Sequence, residues 1–285
     1  MRLVTFADDD APRLGVWLGN YVLDLRRAQP RLPTEMIAFL QAGEPARAQV
    51  RATAVYADER FCISAAAVTL LAPLPQPRNI ICVGHNYHGH TGAEPPAYPD
   101  IFAKFANVVL AHGQPIVLPR AAQAVDYEAE LAVVIGKRAR HIPVERALDY
   151  VAGYTIFNDV SARDFQKRQS QWTLGKTFDT FGPLGPALVT QDEIGDPGNL
   201  NLTLWVNGVR RQQANTRDLI FAVPFLIAYL SQVMTLEPGD LISTGTPSGT
   251  GASLTPPVFL RAGDVVKIEI ERIGVLENPV VAEAG

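Results

Sequence analysis

The alternation of apolar and polar positions predicts a chain dominated by strands. Residues 2–6 and 13–25 read as short strands, the second stretch broken at Gly19-Asn20, a pair suited to a hairpin turn. Residues 34–42 and 46–57 are alanine-rich, lack internal glycine or proline, and predict two helices. The string Pro73-Leu-Pro-Gln-Pro77 then breaks the pattern. It divides a segment 1–72, which carries no chemistry by residue type or spacing and reads as a small α+β accessory domain, from a larger domain, 73–285. In the larger part, 79–83, 127–135, 153–157, 200–206, 240–243 and 265–270 are rich in β-branched and aromatic residues and predict strands. Asn207-Gly208 is the sharpest hairpin signal in the chain. Residues 219–230 are apolar on nearly every side and predict a buried helix, and Pro143 suits the first position of another. Strands outnumber helices without alternating with them. The expected class is therefore α+β, mostly β, rather than a doubly wound sheet or a TIM barrel.

Composition narrows the function classes. Of 285 residues, 47% are hydrophobic and 19% charged, enough apolar material for a sizeable core. A net charge of −4 leaves no basic surplus to neutralise phosphates, which argues against a nucleic-acid partner. Two cysteines, Cys62 and Cys82, make neither a disulfide framework nor a metal clip. No apolar run reaches the roughly 18–20 residues a membrane span needs, so no membrane partner is expected. The first residues turn acidic by Asp8 and lack the apolar stretch of a signal peptide, so the expected setting is cytoplasmic.

The stretch VDYEAELAVVI (125–135) carries the most chemical information. Residues two apart on a strand share a face, so Glu128 and Glu130 project together, with Asp126 beside them if the strand extends that far. Such carboxylates lie ~7 Å apart and repel, and burial would push their pKa values up. A divalent cation removes both penalties, and an oxygen-only set suits a hard ion such as Mg²⁺ or Mn²⁺. The alternative is a solvated outer face, where alternating glutamate is ordinary. Asp159 tips the balance toward the metal, because it follows the apolar strand at 153–157 and is placed to complete a three-carboxylate site.

Three histidines, His85, His88 and His90, crowd the loop after the strand at 79–83, but their spacing matches no zinc motif. A loop carrying a general base is the better functional reading, with His85 and His88 read as polar surface residues. Lys176, framed by Trp172, Leu174, Phe178 and Phe181 in a Gly/Pro-shaped loop, is not expected to be a free surface charge. The string 244–251, TGTPSGTG, lacks P-loop order but offers hydroxyls and backbone N–H groups suited to a carboxylate or phosphate.

Together, ICVGHNYHGH (81–90), IFAKF (101–105), VDYEAELAVVIGK (125–137), YTIFNDVSARDFQ (154–166), LGKTFDTFGPLGP (174–186) and LEPGDLISTGTPSGTG (236–251) resemble the fumarylacetoacetate hydrolase family. The resemblance implies a mixed β-sandwich roll, a homodimer, and one Mg²⁺, Mn²⁺ or Ca²⁺ per site. It makes Glu128, Glu130 and Asp159 the metal ligands, Lys176 the active-site lysine, Gln166 a substrate contact and Thr246 the residue holding a substrate carboxylate. His90 matches the family histidine, and Arg163 is expected to anchor the loop around Asp159. Small members acting on acylpyruvates or oxaloacetate often place a glutamate three residues after that histidine. Here Ala93 stands there and Glu94 follows, so Glu94 is the candidate partner of His90, in a segment whose Gly92, Pro95 and Pro96 make a poor helix. Tyr87, Phe105, Trp172 and Phe181 are the candidates for contact with the distal end of the substrate.

The implied chemistry breaks a bond beside a 2-oxo acid, leaving an enolate that a Lewis acid stabilises. The expected reaction is hydrolysis of a C–C bond in a β-diketo acid of aromatic catabolism, with His90 activating water. Decarboxylation or isomerisation of a 2-oxo diacid is the alternative. A hydratase acting on a 2-oxo-4-enoate and a non-catalytic metal-dependent binding protein complete the readings.

Overall fold

A computed structural model describes residues 1–7, 11–89 and 95–285. Among these, a mixed sheet of 12 strands and a second of five build the α+β, mostly-β body expected of the chain. Across the centre of the large sheet the order is Gly182–Thr190, Val151–Asn158, Ala129–Ile135, Leu241–Ser243, Ile80–Gly84, Asp100–Lys104. Neighbours are antiparallel except Leu241–Ser243 and Ile80–Gly84, which are parallel.

This wiring fixes where the chemistry gathers. The beginnings of Ala129–Ile135 and Asp100–Lys104 lie at the same end of the sheet as the C-termini of Val151–Asn158, Leu241–Ser243 and Ile80–Gly84. Register makes the meeting specific: Ala129 faces Asn158, Ser243 faces Cys82, and Gly84 faces Asp100. The segments holding Glu128, Asp159, Thr246 and His85 therefore converge.

Every residue of Ala129–Ile135, Val151–Asn158 and Gly182–Thr190 is buried. Their continuous runs of β-branched and small residues suit strands covered on both faces. The five-stranded sheet packs on them through Asn201–Val206, Val265–Ile270 and Gly274–Ala282. Within it, Asn207 and Gly208 both take positive φ, 52° and 76°, the conformation a two-residue type I′ turn requires.

Helix ends depart from the sequence expectation for identifiable reasons. The helices expected at 34–42 and 46–57 are Met36–Gln41 and Gly43–Val55, the second taking Pro45 into its first turn, where a missing N–H costs nothing. The helix expected at 219–230 is Val223–Val233, started by Pro224, while Leu219 bridges to Tyr87 instead. Pro143 caps a 3₁₀ turn, Val144–Tyr150, rather than opening an α-helix. The first segment joins the large sheet, because Arg2–Phe6 pairs with Gly182–Thr190. The proline-rich stretch at 73–77 thus separates two lengths of chain that share one sheet.

Candidate metal centre

The acidic strand does not present a solvated face. Glu128, Glu130 and Asp159 are buried, and one oxygen from each lies within 4.8 Å of the others. Local structure sets this up. The backbone N–H of Glu128 donates to Asn158 Oδ1 (3.0 Å) and that of Asp159 to the Glu128 carbonyl (2.9 Å), so the two acids leave neighbouring strand ends side by side. Asp126 does not join them. The strand breaks after it, and its carboxylate turns to the backbone N–H groups of Gly251 (2.7 Å) and Ala252 (3.0 Å) and to Arg163 Nε (2.9 Å).

Three cations balance the acids. Lys176 Nζ lies 2.6 Å from Glu128 Oε2 and 2.7 Å from Asp159 Oδ2, and its ammonium sits 5.0 Å above the Phe102 ring. Lys104 Nζ lies 2.6 Å from Asp159 Oδ1 and also donates to the carbonyls of Val160 and Phe181. Arg163 spans Asp126 and Glu128, 2.9 and 2.6 Å away, so it anchors those two acids rather than the loop around Asp159. Glu130 lacks an ion pair among the described residues; its Oε2 accepts from Ser243 Oγ (2.5 Å) and the Gly245 N–H (2.9 Å). Gly245 reaches it at φ +98°, where a Cβ would lie 2.9 Å from the Val83 carbonyl.

These surroundings separate the two glutamates. Burial, followed by the charges of Asp159 and Glu128, pushes the Glu130 carboxyl well above its ordinary range. Burial would raise Glu128 too, but Arg163 and Lys176 outweigh it and hold that carboxyl well below the usual range. Burial alone would lower Lys176; the Asp159 and Glu128 charges keep its pKa high. The three cations contact Asp126, Glu128 and Asp159. A divalent ion set among these four carboxylates and three cations, all ionised, leaves the cluster one positive charge in excess, a setting that attracts an anionic ligand. An all-oxygen set, one member of which holds its proton more tightly than an ordinary carboxyl, fits a hard divalent cation.

The cluster floors a cavity of about 510 Å³. Gln166, Lys167, Gln169, Ser170, Thr246 and Ser253 supply polar walls, and Val83, Phe102 and Trp172 an apolar side. Thr246 Oγ1 donates to the Ala129 carbonyl (3.0 Å) and accepts from Gln212 Nε2 (2.8 Å). Gln166 accepts from Arg163 Nη1 (2.9 Å), which commits its carbonyl end and leaves the NH₂ as donor. Gly175 lets the turn bearing Lys176 press on Gln166, whose backbone N would be 2.5 Å from a Cβ there.

Glu128, Glu130, Asp159, Lys176, Gln166 and Thr246 are thus brought together. Tyr87 is placed behind the wall, 1% exposed, its hydroxyl without a hydrogen-bond partner among the described residues and its pKa raised by burial. Phe105 is exposed away from the cavity, Phe181 is buried, and Trp172 alone of the four expected distal contacts lines it. His90 and Glu94 lie outside the described residues. His85, expected on a polar surface loop, instead borders the cavity. Two supporting residues were not singled out from the sequence: Lys104, and Gln212, which also accepts from the Ala129 N–H at 2.9 Å.

Residues 79–281 match the family described as "Fumarylacetoacetate (FAA) hydrolase C-terminal". The mitochondrial oxaloacetate tautomerase fahd2 of Xenopus laevis is 47% identical over 99% of this chain and 90% of its own length. Human FAHD2A, of the same name, is 46% identical over 99% and 92%. Among solved structures, maleylpyruvate hydrolase from Sphingobium sp. SYK-6 in complex with manganese (II) ion and pyruvate superposes with a TM-score of 0.84, at 35% identity over all of both chains. The fumarylacetoacetate hydrolase of Exiguobacterium antarcticum superposes with a TM-score of 0.88, at 36% identity over 99% of this chain and all of its own.

Proposed function

Because the chain belongs to the fumarylacetoacetate hydrolase family, we propose that it interconverts the keto and enol forms of oxaloacetate or a closely similar 2-oxo diacid, with a divalent metal. The observation that carries this is the floor of the cavity: three buried carboxylates, an ammonium bridging two of them, and hydroxyl and amide donors around them. The names of the relatives aligned over nearly the whole chain point to the same substrate.

Glu128, Glu130 and Asp159 would hold Mg²⁺, Mn²⁺ or Ca²⁺, which when bound acts as a Lewis acid on a 2-oxo oxygen. The protein's own groups do the rest. Lys176 places a fixed positive charge beside the oxygen on which negative charge develops. The NH₂ of Gln166 donates to a substrate oxygen, Thr246 braces the cavity wall between the Ala129 carbonyl and Gln212, and Arg163 keeps both Glu128 and Gln166 oriented. Trp172 and Phe102 keep one side dry, which strengthens these interactions. The reaction moves one proton between carbon and oxygen and requires no attacking water.

C–C hydrolysis of an acylpyruvate is the second reading, favoured by the likeness to the pyruvate-bound maleylpyruvate hydrolase. Tautomerisation predicts that purified protein with Mg²⁺ or Mn²⁺ accelerates decay of the enol absorbance of oxaloacetate without releasing carbon dioxide. Unchanged enol decay beside cleavage of acylpyruvates would replace it with the second reading. A homodimer in a cytoplasmic setting belongs to the same proposal and is checked by light scattering and cell fractionation.

A further inference from the structure

A second cavity, of about 280 Å³, shares no lining residue with the one above the acidic cluster. Tyr127, Asn207, Arg211, Phe259, Arg261 and Asp264 are among the residues that line it. Arg211 and Arg261 stand there without a counter-charge. Neither guanidinium has an ion pair or hydrogen bond among the described residues, and Arg211 Nε is buried with no acceptor. The acid in the lining is already committed: Asp264 Oδ1 accepts from Asn207 Nδ2 (2.8 Å) and Oδ2 from the Arg261 backbone N–H (2.8 Å). A buried donor that makes no hydrogen bond costs stability until a ligand or solvent fills it. In a chain of net charge −4, two unpaired guanidiniums in one cavity point to an anion.

The fold builds this arrangement. In the hairpin of Asn201–Val206 and Val209–Asn215, Leu204 faces Gln212 but Trp205 faces Arg210, so Arg211 is the extra residue of a β-bulge. Bulges re-aim side chains. Gln212 turns inward to the Ala129 N–H and Thr246, while Arg211 lines the second cavity. The bulge is seated against the loop at 244–251: Gly249 has φ +99°, and a Cβ there would lie 2.1 Å from the Arg211 carbonyl oxygen. Tyr127 ties the same loop down, its hydroxyl donating to the Gly249 carbonyl (3.2 Å). Burial, followed by the Asp126 charge, raises the Tyr127 phenol to about 12, and the Arg211 guanidinium acts in the opposite sense, which puts that cation near the ring.

We propose that Arg211 and Arg261 bind a small doubly charged oxyanion, a dicarboxylate or a phosphate, at a site separate from the metal centre. Planar guanidiniums suit such groups, because paired N–H donors match two oxygens of one carboxylate or phosphate. Arg211 Nε would gain the acceptor it lacks. The cavity lies at the small end of ligand sites, which fits a small anion rather than a nucleotide. Its apolar walls, Val206, Phe259 and Leu260, limit the water that would otherwise screen the charges. Tyr127 lines this cavity while its neighbour Glu128 lines the other, so the anion would sit one residue behind a metal ligand. The site does not depend on which reaction the metal centre runs.

The test follows the Arg211 Nε–H signal by NMR in the full chain, loaded with Mg²⁺ and carrying isotope-labelled arginine; Arg211→Lys identifies the signal by its loss. Titration with inorganic phosphate or with succinate should move the signal along a saturating curve, and sodium chloride at equal ionic strength should leave it in place. Arg261→Gln should weaken the apparent affinity on the order of tenfold, the usual worth of a hydrogen bond to a charged group. Its melting temperature without anion should equal that of the wild type, because the Arg261 side chain has no partner to lose among the described residues. Saturation by succinate alone assigns a dicarboxylate ligand, by phosphate alone a phosphate, and by both a site that reads charge. Saturation by neither, a shift that sodium chloride reproduces, or an affinity unaltered in Arg261→Gln would overturn the proposal.

Discussion

Two glutamates that sit two residues apart and share one metal should behave oppositely when the metal is removed. In the metal-free protein Glu128 accepts from both Arg163 and Lys176 at 2.6 Å and its pKa is held low, whereas Glu130 has a raised pKa and accepts, among the described residues, from Ser243 and Gly245. Glu128→Gln therefore leaves two buried cations without their shared counter-charge. Breaking a buried pair in this way costs about 3–5 kcal/mol. At about 2 °C per kcal/mol in a chain of this size, the melting temperature should fall by ~6–10 °C. Glu130→Gln swaps a carboxyl that burial pushes toward its neutral form for an amide whose oxygen still accepts both bonds, so its change should stay within about 1 kcal/mol, or ~2 °C. The assay is calorimetry on chelator-treated proteins at neutral pH. Raising the pH adds a second signature. A carboxyl whose folded pKa is raised stabilises the fold below its unfolded value, ordinarily 4.5, and loses that advantage as pH climbs toward the folded value. Glutamine has no such loss, so Glu130→Gln should gain on the wild type as pH rises above 4.5. Equal melting losses in the two variants, or a Glu130→Gln deficit that widens with pH, would refute the assignment of charge.

Other outcomes follow from the same contacts. Mn²⁺ binding should release protons, seen by calorimetry in buffers of different ionisation enthalpy, and apparent affinity should rise with pH; binding without proton release contradicts a raised Glu130 pKa. Lys104→Met removes an ammonium from Asp159 and from two carbonyls and should cost about 3–5 kcal/mol in thermal unfolding; a stability equal to wild type would show that this buried contact is not formed. Thr246→Val takes a bond from Gln212 and another from the Ala129 carbonyl. It should cost about 1–3 kcal/mol in thermal unfolding while Mn²⁺ affinity holds; a melting temperature equal to wild type would show that these buried bonds are not formed.

How far the site could be read from residues alone depends on the distance over which each contact forms. Glu128 and Glu130 were legible because period-two geometry is local, and Asp159 because an acid closing an apolar strand is conspicuous. Asp126 follows the same period, yet the strand breaks after it and Gly251 captures it from 125 residues away. Lys104 holds partners 55 and 77 positions along the chain, and Gln212 pins a strand 83 positions away, relations that only the assembled sheet creates. His85 looked like surface because its partner Asp100 is supplied by strand register. The first segment looked separate because prolines mark a break in the chain, whereas the pairing of Arg2–Phe6 with Gly182–Thr190 spans nearly 190 positions.

The central claim is that Glu128, Glu130 and Asp159 grip one divalent ion on which a 2-oxo acid is turned over. Anomalous diffraction from crystals soaked in Mn²⁺ and oxalate, a non-reactive stand-in for the substrate's oxo-acid end, tests it most directly. The account predicts a single strong peak among those three carboxylates with oxalate against it and Lys176 alongside. Oxalate bound with no peak there, or a peak held by other residues, would contradict it.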